Sequence, residues 1–343
     1  MIESYHGFSL LALFLLVSLT STTTTIEAAS APTVNVGSIS KVEDAQFFHI
    51  YYGQSFKVIK NGIDGKSYLL MQMLGLLESL KGITSESVAS GCVLRSYANG
   101  GLTVINATDT RQLASFSAHF TGDADKVQAC NIANFGPLTE KTPLQVKSNY
   151  MCLSKSVANQ TTRFKPVVAW VQYSQGTWTF AREAHKLQYV MDAGGENIDG
   201  TISSNSYSAN NTDDMDNFHA ILCTVDVVLD ETRASDASGY TLSTFMMNIN
   251  VDDSSCFAFL SNQSLWRYDK RISNSSALDW SDGAIAQPQL VLADLIEIFF
   301  PTGNYSTVYF RNIAKDEGIT AIGAEMCDRS ASTPMEPTIV PCQ

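Results

Sequence analysis

The chain has 343 residues, of which 45% are hydrophobic, and its formal net charge at pH 7 is −12. This acidity leaves no basic stripe that could displace the counterions of phosphate groups, so we predict no nucleic-acid partner. The length is enough for two domains with sizeable cores.

The N-terminus begins with an apolar run at residues 8–19, which reads FSLLALFLLVSL. This run has the length of a signal peptide and is short for a membrane span, and small residues at Ala29 and Ser30 fit a cleavage site. We therefore predict a signal peptide over residues 1–30, with an uncleaved anchor as the alternative. Because no later apolar run is long enough to span a bilayer, we expect no membrane span in the mature chain and a secreted, extracellular or endomembrane-lumen location.

Asparagine sequons and cysteines support that location. Six N-x-S/T sequons predict a glycosylated surface on a eukaryotic secretory route. None of the seven cysteines has C-x-x-C spacing, so structural disulfides are favoured over a zinc or thioredoxin-like site, and the odd number leaves one cysteine over. The sequons lie at Asn106, Asn159, Asn210, Asn262, Asn274 and Asn304, and the cysteines are Cys92, Cys130, Cys152, Cys223, Cys256, Cys327 and Cys342.

The first half of the chain mixes strand and helix patterns. Aromatic and β-branched residues predict strands at 47–52 and 55–59, and a shorter one at 102–105. Helical spacing predicts helices at 68–80 and 109–116. Residues 139–148 are polar and contain a proline, and we interpret them as a connection between halves.

The second half gives clearer patterns. Strands are expected at 166–173 and 177–180 around the turn Ser174-Gln175-Gly176, and at 255–260, with mixed helix and strand character at 217–229. Helices are expected at 184–193, ended by two glycines, and at 288–299, with proline in the first turn. Residues 203–216 look like a polar loop. Strands that alternate with helices indicate a layered α/β fold.

Three segments of this half resemble one family in order. Lys165–Asp199 contains PVVAWVQYSQGTWTF and ends in AGGENID, and it resembles the opening of the C-terminal lobe in siderophore- and cobalamin-type periplasmic binding proteins. Leu265–Arg271, LWRYDKR, resembles a later strand of that lobe. Asp279–Pro301 resembles its closing helix, with a tryptophan followed by PQLVLADL.

The resemblance implies an α/β, two-lobe, three-layer fold. It divides the chain into the signal peptide, an incomplete N-terminal lobe at 31–145, a shortened interlobe connection at 146–164, a C-terminal lobe at 165–326 and a tail at 327–343. Family segments are missing before Leu74 and between Gln145 and Cys152, where at most two helical turns fit. An alternative transcript or a faulty gene model would produce both gaps.

The resemblance also implies a ligand held between the lobes. Trp170, Tyr173 and Trp178 lie on the strand-turn-strand that faces the cleft in that family, and Arg182 follows it. Trp266 is at a position near the cleft. Trp170 fits a core position equally, and Arg182 fits a solvated surface.

The function implied is a secreted, non-catalytic, solute-binding-like protein whose small-molecule ligand is a ferric chelate, a corrinoid or a similar organic molecule. No cofactor is expected, and a eukaryotic host implies no importer partner. Since the sequence has no G-x-S-x-G, H-E-x-x-H or P-loop motif, we do not expect an enzyme. The alternatives are an interaction or structural glycoprotein that kept the fold without ligand binding, and a divalent-metal binder. For the latter the histidines show no motif spacing, and the DDMD run at 213–216 lacks the glycine and glutamate of a calcium loop.

Overall fold

The structure is a computed structural model, and it describes residues 58–60, 72, 75, 77–83, 88–106, 109, 111–112, 118–120, 142–157, 164–251 and 256–342. The predicted signal peptide, the predicted strand at 47–52, Cys130 and the sequon at Asn159 lie outside these residues.

The N-terminal part contains a small parallel sheet. Its strands are β1 (Val58–Lys60), β2 (Leu80–Ile83), β3 (Thr103–Val104) and β4 (Ala118–Phe120), in the spatial order β3-β2-β1-β4. All three pairings are parallel. Helix α1 (Gly91–Ala98) lies between β2 and β3 along the chain and begins at Ser90, whose side chain accepts a hydrogen bond from the Val93 N–H.

Helix α2 (Thr142–Ser156) corrects our interpretation of the connection between halves. It has 15 residues and is therefore about 22 Å long at 1.5 Å per residue, where the sequence suggested at most two turns. Proline occupies its first turn, where a backbone N–H would have no intrahelical acceptor, so it does not interrupt the helix. Val146, Leu153 and Val157 are buried at helical spacing and fix the face that packs inward.

The C-terminal part is built on a seven-stranded mixed sheet. Its central strands β5 (Val167–Ser174), β9 (Val227–Asp230) and β10 (Leu265–Arg267) run parallel. The spatial order is β12-β10-β9-β5-β6-β8, with β7 paired to β5. The remaining strands of this sheet are β6 (Thr177–Phe180), β7 (Glu196–Asn197), β8 (Ser206–Ser208) and β12 (Arg311–Asn312), and β11 (Arg271–Ser273) and β13 (Thr320–Ile322) form a separate parallel pair.

Helices cover both faces of this sheet, which gives the expected three layers. The helices of this part are α3 (Ala184–Asp192), α4 (Gly200–Ser203), α5 (Thr212–Leu222), α6 (Leu242–Asn248), α7 (Ala258–Ser261), α8 (Gly283–Ala286) and α9 (Pro288–Phe299). One face of the sheet packs against α2, α3 and α9, and the other packs against α5, α6 and α7. The mixed α/β class is confirmed.

The glycine pair after α3 explains the AGGEN motif. Gly194 ends the helix in the left-handed region at φ +86°, and the Gly195 N–H bonds to the Val190 carbonyl at 2.9 Å. A Cβ atom on Gly195 would lie 2.8 Å from the Phe299 ring of α9. The second glycine is therefore needed for α9 to approach the sheet.

Two predicted elements and the end of a third were wrong. The predicted loop at 203–216 contains β8 and the start of α5. Asn211 caps that helix, and the acidic residues in its first turn are favoured by the positive end of the helix dipole. The predicted strand at 255–260 ends in helix α7.

The predicted helix at 68–80 is contradicted at its C-terminal end. Leu77–Ser79 form a 3₁₀ turn and β2 begins at Leu80, because tertiary pairing with β1 outweighs local helical spacing. Of the remaining residues of this prediction, only Gln72 and Gly75 lie within the described part of the chain.

Three disulfides join the six cysteines that the structure describes. They link Cys92 to Cys327, Cys152 to Cys342 and Cys223 to Cys256. Structural disulfides are thus confirmed. Within the described residues, no helix is both long and apolar enough to cross a lipid bilayer.

Candidate functional site

The β5–β6 hairpin places its two tryptophans on opposite faces of the sheet. Tyr173 pairs with Trp178 and Val171 pairs with Phe180, so these four side chains share one face. Trp170 is one residue away from Val171 along β5 and therefore points to the other face. Trp170, Tyr173 and Trp178 were expected to face one ligand cleft, and they lie on two different faces of the sheet.

Trp178 lies in a closed core, which contradicts the expectation that it faces a ligand cleft. Its side chain is fully buried, its ring stacks on Phe218 at 5.2 Å between centroids, and its N–H donates to the Asn248 carbonyl at 3.0 Å. The physical reason is the register of the hairpin, which turns this side chain toward α5 and α6.

Tyr173 and Arg182 are closer to solvent. Tyr173 is half-buried, and its ring centroid is 5.0 Å from that of Trp178. Arg182 is exposed and donates to the carbonyls of Ser203 and Ser204 at the end of α4. Its guanidinium therefore ties a helix end to the start of α3.

Trp170 and Trp266 share the opposite face. Trp170 is buried against Trp280 and Phe310, with centroids 5.8 and 5.9 Å away, which agrees with the core alternative. Its indole N–H faces the Glu231 carboxylate and opposes the rise in the pKa of Glu231 that burial causes. Trp266 is half-buried, and its N–H donates to the Ser264 hydroxyl at 3.3 Å.

A mixed aromatic and charged group lies where β9 and β10 end. We name it the edge cluster, and it consists of Trp170, Lys186, Glu231, Tyr268 and Trp280. The Lys186 ammonium lies 2.5 Å from the Glu231 carboxylate and 5.6 Å from the Trp170 ring centroid. The rings of Tyr268 and Trp280 are 6.3 Å apart, and both side chains are half-buried.

The carboxyl ends of parallel strands position this cluster. Glu231 directly follows β9 and Tyr268 directly follows β10. In open α/β sheets this edge is where ligands bind. The edge cluster is therefore the best-placed candidate site in the part of the chain that the structure describes.

The charged groups in and beside the edge cluster include more carboxylates than cations. Lys186 also meets the exposed Glu183 carboxylate at 3.1 Å, so one ammonium faces two carboxylates. Burial alone would lower the pKa of Lys186, but the two carboxylates reverse this and raise it. Burial raises the pKa of Glu231, and Lys186 offsets only part of that rise. Burial also raises the pKa of Tyr268, to about 12.

A second charged group lies deeper in the fold and was not predicted from the sequence. We name it the buried network: Asp230, Arg267, Asp269 and Arg311. Asp269 accepts from the Nε of both arginines, at 2.9 and 2.6 Å, and Arg267 also donates to Asp230 at 2.6 Å. Arg267 ends β10 and Asp269 lies two residues further on, and these opposite charges beside a predicted strand were the signal available in the sequence.

The buried network is balanced and internally satisfied. Arg311 donates to the carbonyls of Ala237, Tyr240 and Glu317, and Arg267 donates to the Thr232 carbonyl. The Arg267 guanidinium also lies 3.6 Å over the Tyr240 ring. With two cations, two anions and a partner for each guanidinium nitrogen, this network fixes the loops that supply its carbonyl groups.

The predicted modification and metal positions can be located in part. The asparagines of five sequons are exposed: Asn106, Asn210, Asn262, Asn274 and Asn304. The DDMD run forms the first turn of α5. No three His, Cys, Asp or Glu side chains come together as metal ligands within the described ranges.

Comparisons with known proteins give similarity in structure alone. No family model matches the chain, and no curated protein matches it. The chain is similar to a periplasmic binding protein from Veillonella parvula DSM 2008 at 12% identity, with 80% of this chain and 91% of that chain covered and a TM-score of 0.46. It is similar to a periplasmic heme binding protein from Pseudomonas aeruginosa at 14% identity, with 78% and 99% covered and a TM-score of 0.44.

The apo form of the periplasmic heme-binding protein RhuT from Roseiflexus sp. RS-1 gives a similar result, at 12% identity, with 72% and 99% covered and a TM-score of 0.45. We assign no ligand on this likeness. The three-layer assignment rests on the strand order and the helices of the chain itself.

Proposed function

We propose that this chain is a non-catalytic binding protein that holds a small organic ligand against the edge cluster. The observation that carries the proposal is the placement of the half-buried Tyr268 and Trp280 beside the Lys186–Glu231 pair, at the carboxyl edge of parallel strands. Aromatic faces with a few convergent polar groups are the usual composition of an organic ligand site.

The ligand class follows from the same residues. A flat organic chelate, such as a corrinoid or a ferric chelate, offers a face that can stack on Trp280 and Tyr268. Two carboxylates against one ammonium favour a ligand without excess negative charge.

We also propose that the protein is secreted by a eukaryotic cell and that its ligand lies between two lobes. The three disulfides and the exposure of five sequon asparagines support the secretory route. The missing first-lobe segments remain our interpretation of the sequence, and sequencing the transcript from source tissue tests it.

The second candidate is an interaction glycoprotein that kept the fold without a ligand. One observation favours it: each cation at the carboxyl edge is engaged by groups of the chain itself. Lys186 is held by two carboxylates, and each guanidinium nitrogen of Arg267 and Arg311 has a partner in the chain. A ligand anion would have to displace these partners.

A thermal-shift screen separates the two candidates. Cyanocobalamin, a ferric hydroxamate siderophore and ZnCl₂ are each added to the full chain. A ligand of the native state stabilises it by about 2.7 kcal/mol at a concentration 100 times Kd, so we expect a clear rise in Tm with one of the two chelates. If no compound shifts Tm, the interaction glycoprotein is favoured, and a shift with zinc alone favours the metal binder.

The variant Trp280→Leu tests the place of binding. We expect it to remove most of the ligand-induced shift because it deletes one wall of the edge cluster. Trp266→Leu is the matched control, since Trp266 is also half-buried against the same core and makes no ring contact with the cluster in the described residues. Equal shifts in both variants would place the ligand elsewhere.

A further inference from the structure

The last described segment of the chain is held at both ends by disulfides. We name residues 327–342 the strap. Cys327 is bonded to Cys92 in α1, and Cys342 is bonded to Cys152 in α2. The strap therefore connects the N-terminal part to α2 over a sequence separation of 235 residues at one end and 190 at the other.

Side-chain amides hold the backbone of the strap between its ends. Asn149 of α2 binds Val340 twice, since its Nδ2 donates to the carbonyl at 2.7 Å and its Oδ1 accepts the N–H at 2.9 Å. Gln287 and Gln289, at the start of α9, bind the N–H and the carbonyl of Thr338 at 2.7 and 2.9 Å. These hydrogen bonds are made to backbone groups of the strap, so they hold an extended segment and do not depend on its side chains.

The other end of the strap is held by the N-terminal part. The Arg95 guanidinium donates to the carbonyls of Cys327, at 2.9 Å, and Arg329. Arg329 in turn donates to the Gln72 side chain at 2.7 Å. The strap thus bonds to three elements that are far apart in sequence: the region around α1, helix α2 and the start of α9.

The two disulfides differ in exposure. Cys92 and Cys327 are both buried, at 5% and 7% exposure. Cys152 is exposed and Cys342 is half-buried. Because reduction requires attack on a disulfide sulfur, the exposed bond is the more accessible of the two.

We propose that the strap is a redox-sensitive device: the Cys152–Cys342 disulfide is its latch, and reduction of this bond releases residues 335–342 from α2 and α9. A dithiol reductant supplies two electrons and two protons, the S–S bond becomes two thiols, and the dithiol becomes a disulfide. The buried Cys92–Cys327 bond keeps the other end attached, so release is local and reversible. This goes beyond ligand binding at the edge cluster and does not depend on it.

Graded reduction of the folded full chain tests the proposal. The protein is treated with increasing dithiothreitol, labelled with iodoacetamide and digested for mass spectrometry, and amide hydrogen exchange is measured in parallel. We expect labels on Cys152 and Cys342 at lower dithiothreitol than on Cys92 and Cys327. At that point exchange rises about tenfold or more in 335–342 and in the C-terminal half of α2, while α1 stays protected.

The double variant Cys152→Ser/Cys342→Ser should show the same local rise without reductant. Cys223→Ser/Cys256→Ser is the matched control, because Cys256 is also exposed but this disulfide lies within the C-terminal part and joins the end of α5 to the residue two before α7. Unchanged exchange in 335–342 after latch reduction, or labelling of Cys92 and Cys327 first, overturns the proposal. The reduction series on wild-type protein decides it even if a variant fails to fold.

Discussion

The buried network and the edge cluster lie beside each other, and both contain lysine or arginine paired with carboxylates. In the buried network, Arg267 and Asp269 are 1% exposed, and every guanidinium nitrogen has a partner. In the edge cluster, Lys186 and Glu231 keep 11% and 12% of their side-chain surface, and Glu183 is 51% exposed. The buried network is neutral and closed, whereas the edge cluster together with Glu183 is negative and keeps part of its surface in solvent.

This difference distinguishes a structural role from a binding role. The charged groups of the buried network are already bonded to each other and to backbone carbonyls. Breaking such a buried ion pair leaves an uncompensated charge in a medium of low dielectric. The Lys186–Glu231 pair keeps some side-chain surface in solvent and adjoins the exposed Glu183, so it can exchange partners with a ligand or with water at a lower cost. The two groups should therefore respond differently to the same kind of substitution.

The largest effect is expected from Asp269→Ala in the buried network. This change leaves the Arg267 and Arg311 guanidiniums without their shared carboxylate, and breaking a buried pair typically costs about 3 to 5 kcal/mol. Urea denaturation followed by circular dichroism measures the loss. Glu183→Gln is the control, because an exposed ion pair contributes no more than about 1 kcal/mol. Similar losses in both variants would remove the distinction between the groups.

The carboxylate of Asp294 sharpens the comparison, because it is buried and no cation is bonded to it among the described residues. Asp294 of α9 accepts hydrogen bonds from the backbone N–H groups of Val308, Tyr309 and Phe310 at 2.7, 2.7 and 3.2 Å. Complete burial raises its pKa from 3.8 to about 7, against the opposing effect of these N–H donors. The aspartate of the PQLVLADL motif therefore holds the segment 308–310 onto α9.

The raised pKa of Asp294 determines how the free energy of unfolding changes with pH. Between about pH 4 and pH 7, the native state keeps a proton that the unfolded chain releases, so the free energy of unfolding falls as pH rises, by at most about 4 kcal/mol. Below pH 4 the full contribution is present. Urea denaturation as a function of pH should show this slope, and subtraction of the Asp294→Asn profile isolates it. Parallel profiles for the two proteins would contradict a protonated native Asp294.

The smallest effect is expected from Lys186→Met in the edge cluster. Methionine keeps most of the apolar stem and removes the ammonium, which leaves Glu231 without its cation. Since Glu231 reaches solvent and its pKa is already raised, we expect a loss of about 1 to 2 kcal/mol. Urea denaturation at pH 7 is the measurement. A loss as large as that of Asp269→Ala would mean that the edge cluster is structural.

Local patterns in the sequence predicted much of the C-terminal part. The bounds of β6 and α9 were predicted to the residue, because a β-rich run beside a turn and an apolar helix with proline at its start are determined locally. Helix α2 was not predicted, since its long polar face conceals the inward positions Val146 and Leu153. The turn at Leu77–Ser79 depends on pairing with a distant strand, which local spacing does not show.

The candidate site was predicted only in part. The sequence indicated an aromatic group near the strand ends, and Trp170 belongs to the edge cluster. Trp178 was assigned to the wrong face because the face of β6 depends on the hairpin register, which pairs it with Tyr173. Lys186 and Glu231 are 45 residues apart in sequence, so no local pattern could show that they meet.

Isothermal titration calorimetry is the most direct test of the edge cluster as a ligand site. The chelate that gives the largest thermal shift is titrated into wild-type protein, Trp280→Leu and Trp266→Leu. A buried aromatic contact at a binding site is worth about 2 kcal/mol or more, so we predict that Kd rises about 30-fold in Trp280→Leu and stays within about twofold in Trp266→Leu. Equal Kd values in all three proteins would contradict the assignment of this cluster as the binding site.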